Sequence, residues 1–145
     1  MSDDPTRVAF VCVQNAGRSQ MATAFAERER ERRGLDDDVE ILTGGTHPAD
    51  DVHDVVVDVM REEEFDLGDR EPQAVSTEAL ESCDIVATMG CSTLELDTSA
   101  GVEVHDWALD DPHGQDLDTV REIRDDIAGR VTALFDDLDS ADTTQ

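Results

Sequence analysis

Cys12 and Arg18 are separated by five residues in the stretch Cys12, Val13, Gln14, Asn15, Ala16, Gly17, Arg18, Ser19. A thiolate is a strong nucleophile, and a guanidinium grips two oxygens of one tetrahedral anion in a way that Lys cannot reproduce. The residues before Cys12, from Arg7 to Val11, form a short apolar run of the kind a buried parallel strand needs. After Ser19, the residues Met21, Ala22, Phe25 and Ala26 share one face of a predicted helix. The loop therefore joins the end of a strand to the start of a helix, where free backbone N–H groups and the positive end of the helix dipole converge. Amides from Val13 through Gly17 can curl round a tetrahedral oxyanion, with Arg18 and Ser19 closing the cradle. Cys12 lies at its base, where the helix end and Arg18 favour thiolate over thiol and Ser19 can donate a hydrogen bond. Gly17 suits a tight, left-handed turn. The spacing alone equally fits a buried structural Cys beside a helix-capping Arg. Its position between strand and helix favours the cradle.

A thiolate that attacks a tetrahedral centre needs the departing oxygen protonated. Asp110 and Asp111, just before Pro112, follow a short predicted strand and can reach the same edge of a sheet. Their mutual repulsion favours the protonated form of one of them. In a chain with 37 Asp and Glu residues, a given carboxylate is more often simply solvated. His47, His53, His105 and His113 show no metal-ligand spacing with Cys, so no metal site is expected.

The elements that would position these groups alternate along the chain. Strands are predicted over 7–12, 39–43, 84–89 and 102–105. Helices are predicted over 19–33, with Gly34 as the stop, over 50–64, over 76–82, and from 117 onward. In the last of these, Leu117, Val120, Ile123, Ile127, Val131, Leu134 and Leu138 recur at steps of three and four. Alternation of this kind implies one α/β domain over 1–145, with a parallel sheet covered on both faces. The core is expected over about 7–138 and a frayed tail over 139–145. No repeat, linker or low-complexity block divides the chain.

The formal net charge of -26 is the strongest feature of the composition, and every one of the 11 basic residues is Arg. The regular apolar segments argue against disorder, so the charge points to a folded domain adapted to a high-salt cytoplasm, where it is screened. It makes nucleic acid or an anionic membrane an unsuitable partner, and an anionic substrate must be caught by a local positive site. No apolar run approaches the roughly 18 residues that span a bilayer. Met1 to Pro5 lacks the features of a signal peptide, and three cysteines do not form a secreted disulfide framework. These features together predict a cytoplasmic protein.

Residues 12–22, from Cys12 through Ser19, Gln20, Met21 and Ala22, resemble the low-molecular-weight tyrosine phosphatase superfamily and specifically its arsenate reductase branch. The phosphatase branch usually carries Pro where this chain has Gln20. Further similarity runs through 45–49, 83–91 and 107–114, so that it covers about 7–138. The resemblance implies a three-layer α/β/α sandwich on a four-stranded parallel sheet. It also assigns the acid role to Asp111 rather than Asp110, gives Asn15 the task of propping the loop, and implies no metal or other cofactor. Thr23 stands where some reductases of the family carry an acidic cation ligand, so a bound potassium ion is not expected.

Two reactions can follow attack by Cys12. A phosphatase hydrolyses a phosphocysteine, with Asp111 acting again as base. An arsenate reductase uses a second thiol to attack Cys12 sulfur, releasing arsenite and leaving a disulfide. By resemblance Cys91 is the resolving thiol, although it also fits a small buried hydrophobe. The further Cys of thioredoxin-coupled relatives is absent, since 92–96 read Ser, Thr, Leu, Glu, Leu. Either an external thiol, thioredoxin, glutaredoxin or a small thiol, then opens a Cys12–Cys91 disulfide, or a small thiol attacks Cys12 directly. Cys83, before its strand, reads as structural. The chain has no Tyr to wall an aryl phosphate pocket, and Trp107 could serve as a wall or as core. Arsenate reduction is the favoured reading, with aryl phosphate hydrolysis second. A binding module that senses the anion is a third, disfavoured by Asp111.

Overall fold

The computed structural model describes residues 6–12, 15–45, 47–68, 70–89, 102–107, 109 and 114–143. Four strands, β1 (Thr6–Cys12), β2 (Val39–Gly45), β3 (Ile85–Met89) and β4 (Glu103–Asp106), form one sheet in the order β2-β1-β3-β4. All neighbouring pairs are parallel, and the register sets Cys12 beside Gly45 on one side and Met89 on the other. The chain leaves β1 for β2 and later returns to the opposite side of β1. The strand order therefore reverses at the β1 C-terminus, where Cys12 lies. Loops diverge at such a point and leave a crevice that ligands occupy.

Strand alternation divides the core. Val8, Phe10 and Cys12 face a large apolar cluster shared with α1 (Arg18–Arg32), α2 (Asp54–Arg61) and α4 (Leu117–Thr143). Ala9 and Val11 face a smaller cluster with Leu80 of α3 (Thr77–Glu81) and with Cys83, Val86 and Val102. The result is a three-layer α/β/α arrangement on a four-stranded parallel sheet. β3 is buried at every position, as a strand with both faces covered must be. No helix among the described residues is long and apolar enough to cross a membrane.

Local chemistry explains the element boundaries. α1 stops where Gly34 adopts φ +68°, with Gly34 N–H bonded to Glu31 O and Leu35 N–H to Arg30 O, the double bond of a glycine-terminated helix. α2 is shorter than the 50–64 expected. His53 is extended and spends its N–H on Ala16 O, so the helix cannot start earlier, and Glu64 at φ +68° ends the turn beyond it. α3 is capped by Ser76, whose Oγ accepts from Ala79 N–H. α4 runs to Thr143, past residue 139 where the sequence predicts a frayed tail. Leu117, the first of its apolar series, is exposed.

Candidate active site

Cys12 closes β1 and is buried, with its Sγ 2.9 Å from Ser19 Oγ and 3.2 Å from the donating backbone N–H of Asn15. Asn15 turns the chain back over the thiol with φ +52°, a left-handed conformation that Asn tolerates better than most residues. This corrects the expectation for Gly17, which has φ -143° and serves as the N-cap of α1. The reason is local: the turn that brings an amide onto Sγ falls three residues after Cys12, before Gly17 is reached.

The neighbours of Ser19 fix which of its groups is free to meet Cys12. The backbone N–H of Gln73 donates to Asn15 Oδ1 at 2.8 Å, and a backbone N–H can only donate. That fixes the amide orientation, so Asn15 Nδ2 donates to Ser19 Oγ at 2.7 Å and to Thr43 Oγ1 at 2.9 Å. Thr43, beside Phe10 in the register, passes its own proton to Phe10 O at 3.3 Å. Ser19 Oγ accepts from Asn15 and keeps its own proton, which it donates to Cys12 Sγ when the sulfur is a thiolate and has no proton of its own to give. The sulfur thus faces two donors. Such a setting suits a thiolate, because hydrogen bonds to a charged acceptor are the stronger ones.

Arg18 opens α1 and is half-buried, its Nη1 donating to Leu109 O at 3.0 Å. The guanidinium therefore spans from the start of α1 to the chain that follows β4. Ala16 holds the same region from below by accepting from His53 N–H. Thr23 Oγ1 donates to Ser19 O at 2.7 Å, securing the first turn of α1. The predicted site residues Cys12, Asn15, Ala16, Gly17, Arg18 and Ser19 thus gather at one sheet edge. Val13, Gln14, Cys91, Asp110 and Asp111 lie outside the described residues, as does His113.

Thr43 and Gln73 were not singled out from sequence, and Gln20 only as a mark of the reductase branch. Gln20 is buried and its Nε2 donates to Asn15 Oδ1 at 3.0 Å. Thr43 was findable as a hydroxyl near the end of an apolar strand beside β1. Gln73 contributes a backbone group, which leaves no mark on residue type. A cavity of about 730 Å³ opens on the far side of this network, lined by Thr23, Glu27, Thr43, Arg70, Gln73 and Ser76 among others, and Cys12 is not among its walls.

Cys83 is buried in the smaller cluster and donates to Ala79 O at 3.5 Å, and burial pushes its thiol above the usual range. Four of the five aromatic rings are buried and the fifth, Phe65, is half-buried against the core. Trp107 lies 5.9 Å from Phe10, Phe25 meets Phe65 edge-on at 5.3 Å, and Phe135 is fully buried. Trp107 is therefore core rather than a pocket wall. Among the described residues no group of three or more His, Cys, Asp or Glu could hold a metal ion.

Residues 7–143 match the low molecular weight phosphotyrosine protein phosphatase family. A Halobacterium salinarum protein named "Putative arsenate reductase" is 70% identical over 141 residues, covering 97% of this chain and 99% of that one. A thioredoxin-dependent arsenate reductase of Corynebacterium glutamicum superposes with a TM-score of 0.78 at 28% identity, over 97% of this chain and 65% of that one. A low molecular weight protein tyrosine phosphatase from T. tengcongensis superposes with a TM-score of 0.77 at 21% identity, over 91% of this chain and 99% of that one, and shares the fold. The matched span, the fold and these relatives together make the chain an enzyme of the low molecular weight phosphotyrosine protein phosphatase family, in its arsenate reductase branch.

Proposed function

We propose that this enzyme reduces arsenate to arsenite, with Cys12 as the attacking thiolate. The observation that carries the chemistry is the routing of protons around Asn15, which leaves Cys12 Sγ with two hydrogen-bond donors. The amides of 13–17 with Arg18 and Ser19 hold the anion. The Cys12 thiolate bonds to arsenic as an arsenic oxygen leaves, protonated by Asp111. Cys91 then attacks Cys12 sulfur. A Cys12–Cys91 disulfide forms, the electron pair of the broken sulfur–arsenic bond stays on arsenic, and arsenite departs. Cys91 stands two residues past Met89, the β3 residue paired with Cys12, which supports its assignment. An external thiol of the thioredoxin, glutaredoxin or small-thiol class would reopen the disulfide. The substrate assignment leans on the relatives and on the burial of Trp107 in the core, away from any pocket wall. A small inorganic anion needs no aromatic wall. The acidic surface and the missing Lys support a high-salt cytoplasm as the working environment.

Purified protein incubated with arsenate and a thioredoxin system or a small thiol, in concentrated KCl, should release arsenite. No arsenite together with rapid aryl phosphate hydrolysis would replace this reading with the phosphatase one. Cys12→Ser should abolish turnover while an oxyanion still binds. Turnover surviving that change would remove Cys12 from the mechanism.

A further inference from the structure

The hydrogen bonds that end on Cys12 begin at a segment far away in sequence. Residues 73–75 lie along the end of β2: Gly45 N–H donates to Gln73 O at 2.8 Å, Val75 N–H to Gly45 O at 3.4 Å, and Gly45 bridges Ala74. Gly44 lies against this seam. A Cβ on Gly44 would meet Val75 Cβ at 2.4 Å, Val75 Cγ1 at 3.0 Å and Val75 N at 3.2 Å. The nearest of these atoms is fixed to the backbone, so no change of rotamer relieves the overlap. Any side chain at 44 must push residues 73–75 off the strand.

That displacement matters because of what Gln73 N–H does. Asn15 Oδ1 takes a second hydrogen bond from Gln20 Nε2, but the Gln20 amide is itself free to turn over: its Oε1 is buried without a hydrogen-bond partner among the described residues. Gln20 can follow Asn15 in either orientation. Gln73 N–H cannot, since it only donates. With that bond lost, the Asn15 amide can rotate and offer its oxygen to Ser19, whose proton then turns away from Cys12.

We propose that Gly44 is a positioning residue for Cys12. By letting the Gln73–Val75 segment close on β2, it sets the direction in which Ser19 donates its hydrogen bond. The inference rests on Cys12 being the reactive thiolate, but not on which oxyanion it attacks.

The test is the pH profile of Cys12 alkylation by iodoacetamide, read by peptide mass spectrometry on the folded full chain without substrate. Gly44→Ala should slow alkylation at neutral pH about tenfold, the equivalent of one charge-assisted hydrogen bond at the low end of its range. Adding Val75→Ala keeps the clashing Cβ and should leave the defect. Adding Val75→Gly removes that atom and should restore the wild-type profile. Gln73→Pro removes the donating N–H with Gly44 intact and should reproduce the defect, which keeps the test decisive should Gly44→Ala fail to fold. A wild-type profile in folded Gly44→Ala or in Gln73→Pro overturns the proposal, as does equal rescue by Val75→Ala and Val75→Gly. Because no arsenate is present, a failure to form arsenite would refute the function and leave this result standing.

Discussion

One carboxamide, that of Asn15, sets the hydrogen-bond pattern at the candidate nucleophile. Its oxygen accepts from Gln73 N–H and Gln20, and its nitrogen donates to Ser19 and Thr43. Ser19 is then left with a proton for Cys12 Sγ 2.9 Å away. A hydrogen bond to a charged group is worth about 1.5–3 kcal/mol, so Ser19→Ala should lower the rate of the thiolate step by about ten- to a hundredfold. Stability should change far less, because the Asn15 backbone still turns over the thiol. Single-turnover kinetics and a melting curve on the same sample check this. An unchanged rate would mean that Ser19 does not direct its proton at sulfur. The Asn15 conformation was not readable from residue type: Gly17 is the commoner left-handed residue. The position of the turn was decided by where an amide had to land on Sγ.

At the scale of elements, charge ties the helices of the larger layer together. Glu62, just beyond α2, accepts from Arg121 Nη2 at 2.7 Å and from Arg124 Nη1 at 2.8 Å, both on α4. Arg124 also donates to Val59 O and is buried. The bonds from Arg121 and then Arg124 hold the Glu62 carboxyl down from 4.5 to about 2. A carboxyl depressed in the folded state contributes stability that is complete above its ordinary value and is lost as pH falls through its folded one. Wild type should therefore melt above Glu62→Gln at neutral pH, and the gap should close between pH 4.5 and about 2. Because Glu62 is well exposed to solvent, the gap should also shrink with salt. A gap independent of pH would show that the carboxylate charge is not what joins α2 to α4. A second tie runs from Glu29 through Arg33 to Asp136, binding the end of α1 to α4. Apart from Glu29–Arg33, which is an i,i+4 pair, these pairings do not follow from spacing, since the partners lie far apart in sequence.

For the whole molecule, a formal net charge of -26 on 145 residues means that compaction is opposed by self-repulsion. Arg is the only cation available, and much of it is spent on ion pairs such as those of Arg7, Arg70 and Arg130. Raising KCl from about 0.1 M to about 1 M shortens the screening length from about 10 Å to about 3 Å. The melting temperature should rise continuously over that range, although the individual ion pairs weaken. A flat or falling curve would refute the high-salt reading. An oxyanion approaching a chain of net charge -26 meets long-range repulsion, so its capture should also improve as added salt screens that field.

Several features were determined by the sequence alone, because they are local. An apolar run ending in Cys12, a helix beginning near Ser19 and an Arg at its first turn make a strand-to-helix junction whatever surrounds it. Alternating strands and helices allowed little but a covered parallel sheet. Tertiary structure decided what depends on distant backbone. Gln73 donates to Asn15 across 58 positions through a main-chain N–H that any residue except Pro would carry. Gly44 matters for the side chain it lacks against Val75. Trp107, equally suited by type to a rim or a core, was drawn inside against Phe10 because β4 delivers it to the sheet edge where the larger cluster lies. Side-chain chemistry is written in the sequence, but the direction of a hydrogen bond is set by whichever backbone folding brings alongside.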